Sequence, residues 1–148
     1  MATFFQLTID CHHPSRLGAF WQPLLGYEVL AAPLPHATWR DWYLSVGVAA
    51  EEIEGDGTDR LVSPDGNGVA IWFQPVPEDK SIKNRLHLDL RVSRGREVSR
   101  AQRRASIEHV VAQVRAPAAV PSSGGPRRPS QHVYAVMTDP EGNEFYLD

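Results

Sequence analysis

The 148-residue chain holds a single cysteine, Cys11. One thiol cannot close an internal disulfide, and with no Cys-x-x-Cys pair a zinc-ribbon or disulfide-stapled scaffold is excluded. No apolar run approaches the roughly 20 residues that a bilayer-spanning helix needs. The opening residues, Met-Ala-Thr-Phe-Phe-Gln-Leu-Thr-Ile-Asp, carry neither the basic nor the apolar stretch of a signal peptide. These absences predict a reducing compartment, read as cytoplasmic. Excess charge is missing too. Fifteen Lys and Arg against 18 Asp and Glu leave a net charge of −3, too little to gather nucleic acid or an anionic membrane. Neither is expected as a partner. What is present is an ordinary globular composition, 42% hydrophobic and 9% aromatic, which predicts a folded core in one domain rather than a disordered chain.

Phe4 to Cys11 alternates, with Phe5, Leu7, Ile9 and Cys11 on one face and Gln6, Thr8 and Asp10 on the other. That period of two predicts a strand with one packed side. Pro14 suits a first helical turn, with His13 or Ser15 near the cap. Leu17, Phe20, Trp21, Leu24 and Leu25 then form one apolar stripe, and Gly26 ends the helix. The adjacent His12 and His13 fit this junction better than a metal site, because neighbouring strand residues point to opposite faces. Short strands are expected at Tyr27–Ala31, Trp42–Val48 and Val69–Gln74, with Arg60–Val62 a strand or loop and Pro64–Asn67 a turn.

A second strand-then-helix pattern follows. Arg85 to Val92 alternates Leu86, Leu88, Leu90 and Val92 against Arg85, His87, Asp89 and Arg91. A helix is expected over Ile107, Val110, Val111 and Val114 with Ser106 as its cap. Residues 94–104 are Arg-rich, read as a helical turn or a solvated loop. Strands are expected at Ala116–Val120, His132–Met137 and Glu144–Leu147, with a surface loop over Pro121–Ser130. Both halves place a Pro-acid-Gly-Asn turn before the last strand, at Pro64–Asn67 and Pro140–Asn143. The pattern is a repeat of about 1–77 and about 83–148 within one domain, 1–148.

Three segments carry a family resemblance. They are Leu17-Gly18-Ala19-Phe20-Trp21 through Leu25-Gly26-Tyr27-Glu28-Val29, Lys83-Asn84-Arg85-Leu86-His87-Leu88-Asp89-Leu90 after Pro77-Glu78, and Asp139-Pro140-Glu141-Gly142-Asn143-Glu144-Phe145. In order and spacing the chain resembles the glyoxalase/bleomycin-resistance (vicinal oxygen chelate) superfamily, in its glyoxalase-like branch. The resemblance implies an α+β fold, two βαβββ modules pairing into a curved mixed sheet around a central cup. It implies no single activity, because the superfamily hosts isomerases, dioxygenases and drug-sequestering proteins.

In metal-using members, positions on the first and last strand of each half supply histidine and carboxylate ligands. Carried over residue by residue, these positions fall on Gln6 and His87, on Tyr146 four residues past Gly142, and on Gln74 or Trp72. Gln and Tyr are poor donors beside imidazole and carboxylate, so no cofactor is expected; a divalent ion, if held, would use Gln6, Gln74, His87 and Tyr146. Three readings follow. In the first, a small molecule binds in the cup against Gln6, Thr8, Trp42, Trp72, Gln74, His87, Asp89 and Tyr146, with Trp39 and Tyr43 adding to an aromatic wall. In the second, a lyase or isomerase uses His87 as ligand or proton shuttle. In the third, the domain is non-catalytic and its cup is filled by side chains. Monomer and homodimer are both compatible with the pattern.

Overall fold

The computed structural model describes residues 4–114 and 133–148. The chain divides into two compact units, Met1–Asp79 and Lys80–Asp148. The described strands hydrogen-bond as two separate mixed sheets, one in each unit.

In the first unit, β1 (Gln6–Cys11) leads into α1 (Pro14–Leu25). Pro14 lies in the first turn, where a missing N–H costs nothing, and the backbone leaves the helix at Gly26 with φ of 65°. The buried side of α1 is Leu17, Gly18 and Trp21. The helix passes close to β4 here: a Cβ at Gly18 would lie 3.8 Å from the Phe73 ring, an ordinary packing distance. The chain returns through β2 (Glu28–Val29), β3 (Arg60–Val62) and β4 (Ala70–Pro75). The sheet order is β1-β4-β3-β2, with β1 parallel to β4 and the other pairs antiparallel. Leu61, Ile71 and Phe73 bury one face with Cys11, Leu17 and Trp21.

Two expectations for this unit are corrected. The segment expected as a strand over Trp42–Val48 begins as a helix, α2 (Trp39–Ser45). Thr38 Oγ1 accepts the Asp41 N–H at 3.0 Å, and Asp41 Oδ2 accepts the Thr38 N–H at 3.2 Å. This capping box satisfies two N-terminal donors and outweighs the β-propensity of Trp and Tyr. The strand expected over Tyr27–Ala31 is only β2, whose two residues pair with Val62 and Leu61 of β3.

The second unit contains β5 (Asp89–Leu90), α3 (Arg100–Val114), β6 (Ala135–Thr138) and β7 (Glu144–Leu147). Its order is β5-β7-β6, with β5 parallel to β7 and β6 antiparallel. This repeats the β1-β4-β3 arrangement of the first unit. The turns repeat as well. In each, a glycine with positive φ (Gly66, 70°; Gly142, 81°) donates its N–H to the carbonyl three residues back. A carboxylate closes the loop by accepting from the following asparagine, Asp65 from Asn67 and Asp139 from Asn143. Met137, Phe145 and Leu147 form the buried face.

Here too the boundaries differ from expectation. The strand expected over Arg85–Val92 narrows to β5, which pairs only with Tyr146 and Leu147 of β7, and Leu86 is left 82% exposed. The helix begins at Arg100, so Ser106 lies inside it. The cap is about two turns earlier: Ser99 Oγ accepts the Gln102 N–H at 3.2 Å, and Gln102 Oε1 accepts the Ser99 N–H at 2.9 Å. The strand expected at Ala116–Val120, the loop Pro121–Ser130 and His132 lie outside the described residues. Before β5, the Lys80 ammonium sits 3.1 Å from Glu144, which also accepts the Asn84 N–H at 3.1 Å. Burial raises the Glu144 carboxyl, but these partners outweigh it and hold the group below its usual range.

Candidate functional site

Asp59 organises the first unit. It precedes β3, is only 6% exposed, and its backbone carbonyl accepts the Phe73 N–H at 2.8 Å. One carboxylate oxygen, Oδ2, accepts both the Tyr43 hydroxyl at 2.6 Å and the Trp72 indole N–H at 2.8 Å. The other, Oδ1, accepts Arg60 Nε at 3.3 Å. A buried carboxylate is tolerated only when its lone pairs are met in this way. Arg60 in turn lies over two rings, its guanidinium carbon 4.5 Å from the Trp39 centroid and 5.3 Å from that of Trp72. The Trp39 indole donates to the Leu30 carbonyl at 2.6 Å. Burial, and next the hydrogen bond to Asp59, push the Tyr43 phenol up from its ordinary value. That hydroxyl therefore stays a donor to Asp59 at neutral pH and is no base.

This cluster floors a cleft of about 740 Å³ beside the ends of β1 and β4, with Tyr43, Asp59, Trp72, Ile53 and Val76 in its lining. His12 and His13 border it as the chain leaves β1, and Glu51, Glu52 and Glu54 border it from the 50–57 loop. Arg40 holds that loop against α2. Its Nη1 donates to the Ile53 and Gly55 carbonyls at 3.1 and 3.2 Å, and its backbone N–H to Asp56 at 2.8 Å. Gly57 allows the approach: its φ is 76°, and a Cβ there would stand 2.9 Å from the Arg40 nitrogen.

The sequence-predicted residues divide between the two units, five in the first and three in the second. On β1, Gln6, Thr8 and Asp10 face Ala70, Trp72 and Gln74 across the parallel ladder. Of these, Trp72 reaches the cleft, while Gln6, Thr8 and Gln74 do not line it. Trp42 sits on α2, 5.4 Å from the Trp39 ring and 5.1 Å from that of Tyr43, and does not line the cleft. In the second unit, His87, Asp89 and Tyr146 come together. Asp89 stands opposite Tyr146, His87 Nδ1 is 2.9 Å from Asp89 Oδ1, and the His87 ring packs 4.5 Å from the Tyr146 ring. Tyr134 continues the aromatic row, 6.0 Å from Tyr146. If Gln6 is matched to His87, the pair Thr8–Trp72 corresponds to Asp89–Tyr146, which selects Trp72 over Gln74 as the counterpart of Tyr146.

That match tests the fit of a divalent ion to the inherited positions. The Trp72 indole is a donor only and is committed to Asp59. Gln6 and Tyr146 supply neutral oxygens, and the Nδ1 of His87 is engaged by Asp89. Among the described residues, no group of three His, Cys, Asp or Glu is placed to hold a metal. The donor set does not fit the family's usual ion. Sequence reasoning missed Asp59 and Arg60 as site residues. They sit in a Gly-Asp-Gly-Thr-Asp-Arg run that reads as solvated loop, and nothing local separates Asp59 from Asp56 or Asp65.

Comparison with known proteins bears on the fold and the family. The family model of the glyoxalase-like domain matches residues 6–147. No curated protein matches the chain. Among solved structures, a glyoxalase/bleomycin resistance protein/dioxygenase family enzyme from Burkholderia phytofirmans PsJN is similar, at 16% identity, a TM-score of 0.58, and coverage of 99% of this chain and 97% of that one. The fosfomycin resistance protein FosX from Listeria monocytogenes is similar at 10% identity and a TM-score of 0.61, covering 99% and 90%. A protein from Agrobacterium tumefaciens, ATC0852, is similar at 13% identity and a TM-score of 0.55, covering 99% and 96%. At these identities the structures speak for the fold, and the family model spans nearly the whole sequence. The chain belongs to the glyoxalase-like domain family.

Proposed function

We propose that this protein binds a small organic molecule in the cleft of its N-terminal unit, without recruiting the family's usual divalent ion. The observation that carries this is the use made of Asp59. A buried carboxylate fixes Tyr43 and Trp72 side by side at the floor of an open cleft, an expensive arrangement if the only purpose were to fill a core. The cleft also lies within the roughly 300–1,000 Å³ typical of ligand pockets, so a module plugged by its own side chains is the weaker reading. The relatives do not choose the chemistry, since the names of their structures include both a fosfomycin resistance protein and an oxidase.

Thermal denaturation of the full chain against a broad panel of metabolites and antibiotics, with and without a chelator, tests the proposal. At least one compound should raise the midpoint, by an amount equivalent to about 2.7 kcal/mol at a hundredfold excess over its Kd. The rise should survive chelation and disappear in Trp72→Ala. A panel without any stabilising compound, or a shift abolished by the chelator, would overturn it.

A further inference from the structure

Building on that reading of the cleft, we infer that its occupant is a cation, an organic amine or quaternary ammonium with an apolar or aromatic body. Four carboxylates belong to the lining, those of Glu51, Glu52, Glu54 and Asp59, and among the described residues the lining contains no lysine or arginine. The histidines do not reverse the sign, because each already faces an acid. His13 Nδ1 lies 3.3 Å from Glu54, and His12 Nε2 lies 3.6 Å from Asp79. Arg60 balances Asp59 from outside the lining. Glu51 and Glu52 remain as exposed negative charge at the mouth.

Hydrogen-bonding capacity points the same way. The two polar hydrogens on the aromatic floor, from the Tyr43 hydroxyl and the Trp72 indole, are both spent on Asp59. A carboxylate or phosphate ligand would find few donors to replace its water, whereas an ammonium would find acceptors and ring faces. The neighbouring aromatic surface already accepts one cation, since Arg60 packs over Trp39 and Trp72. Attraction from the mouth carboxylates and cation–π contact with Tyr43 and Trp72 thus select one charge sign without a specific ion pair.

Three probes of one shape and different charge decide this: benzyltrimethylammonium, its uncharged carbon isostere neopentylbenzene, and phenylmethanesulfonate. Binding to the full chain is followed by ligand-observed NMR. The ammonium should bind at least about tenfold tighter than the isostere, and the sulfonate should not bind detectably. The exposed double substitution Glu51→Gln/Glu52→Gln should weaken the ammonium about threefold to tenfold, as should a rise in salt, and leave the isostere unchanged. Equal or tighter binding of the isostere or the sulfonate would overturn the charge assignment while leaving the cleft a ligand site. So would silence from all three probes if the wider panel yields an uncharged or anionic ligand. Silence in both experiments would remove the cleft reading itself.

Discussion

Replacing Asp59 with alanine is expected to cost about 3 kcal/mol of folding stability, the lower end of what breaking a buried charge pair costs. The loss is not that of one bond. Tyr43, Trp72 and Arg60 all donate to this carboxylate, so its removal strands a hydroxyl, an indole N–H and a guanidinium at once. The Arg60 side chain keeps 25% of its surface exposed, and water can reclaim part of its charge, which is why the upper end is not reached. For a chain of this length the midpoint should fall by roughly 10 °C. Asp59→Asn, which keeps an acceptor but not the charge, should fall between the two. A change of less than about 1 kcal/mol in Asp59→Ala would mean that the network is incidental.

Phe73→Ala should cost more, about 4 kcal/mol. The ring is fully buried on β4 and packs against α1 at Gly18. The helix cannot follow the retreating side chain, because its backbone is tied at both ends by the strand β1 and the left-handed turn at Gly26. A cavity therefore persists, and its cost adds to the lost transfer energy. Denaturant unfolding measures it; a midpoint near that of the parent would show that α1 and β4 are not joined through this contact. Since Phe73 and Trp72 are neighbours on opposite faces of one strand, the first substitution probes the packed side of the sheet and Asp59→Ala the cleft side.

How far these features could be read in advance depended on their range. The β1–α1 unit was legible because every part of it is local: strict alternation, a proline in the first turn, one apolar stripe, a terminal glycine. The repeated turns were legible for the same reason. The two helix starts were open to local reading but overshadowed. Thr38-x-x-Asp41 and Ser99-x-x-Gln102 both announce a capping box, yet the aromatic content after Thr38 reads as strand and the arginines after Ser99 fit a helical turn and a solvated loop equally. The strand lengths of β2 and β5 were not legible, since each ends where pairing with a strand distant in sequence ends. Among site residues, His87, Asp89 and Tyr146 share a face by simple alternation and register, and Trp72 follows from its strand. Asp59 could not be found this way. Its role comes from Tyr43, 16 residues earlier, and Trp72, 13 residues later, and no local pattern encodes that meeting.

The indole of Trp72 offers the most direct check on the cleft as a ligand site, because its N–H reports both the Asp59 bond and the cleft floor. Resonances of the four tryptophan side chains can be followed by heteronuclear NMR as a stabilising compound is titrated into the full chain. The Trp72 signal should move and saturate with the compound's own Kd, while that of Trp21, buried beneath α1, stays in place. A compound that saturates the protein yet leaves Trp72 unmoved, and perturbs instead the His87–Tyr146 row, would contradict the account.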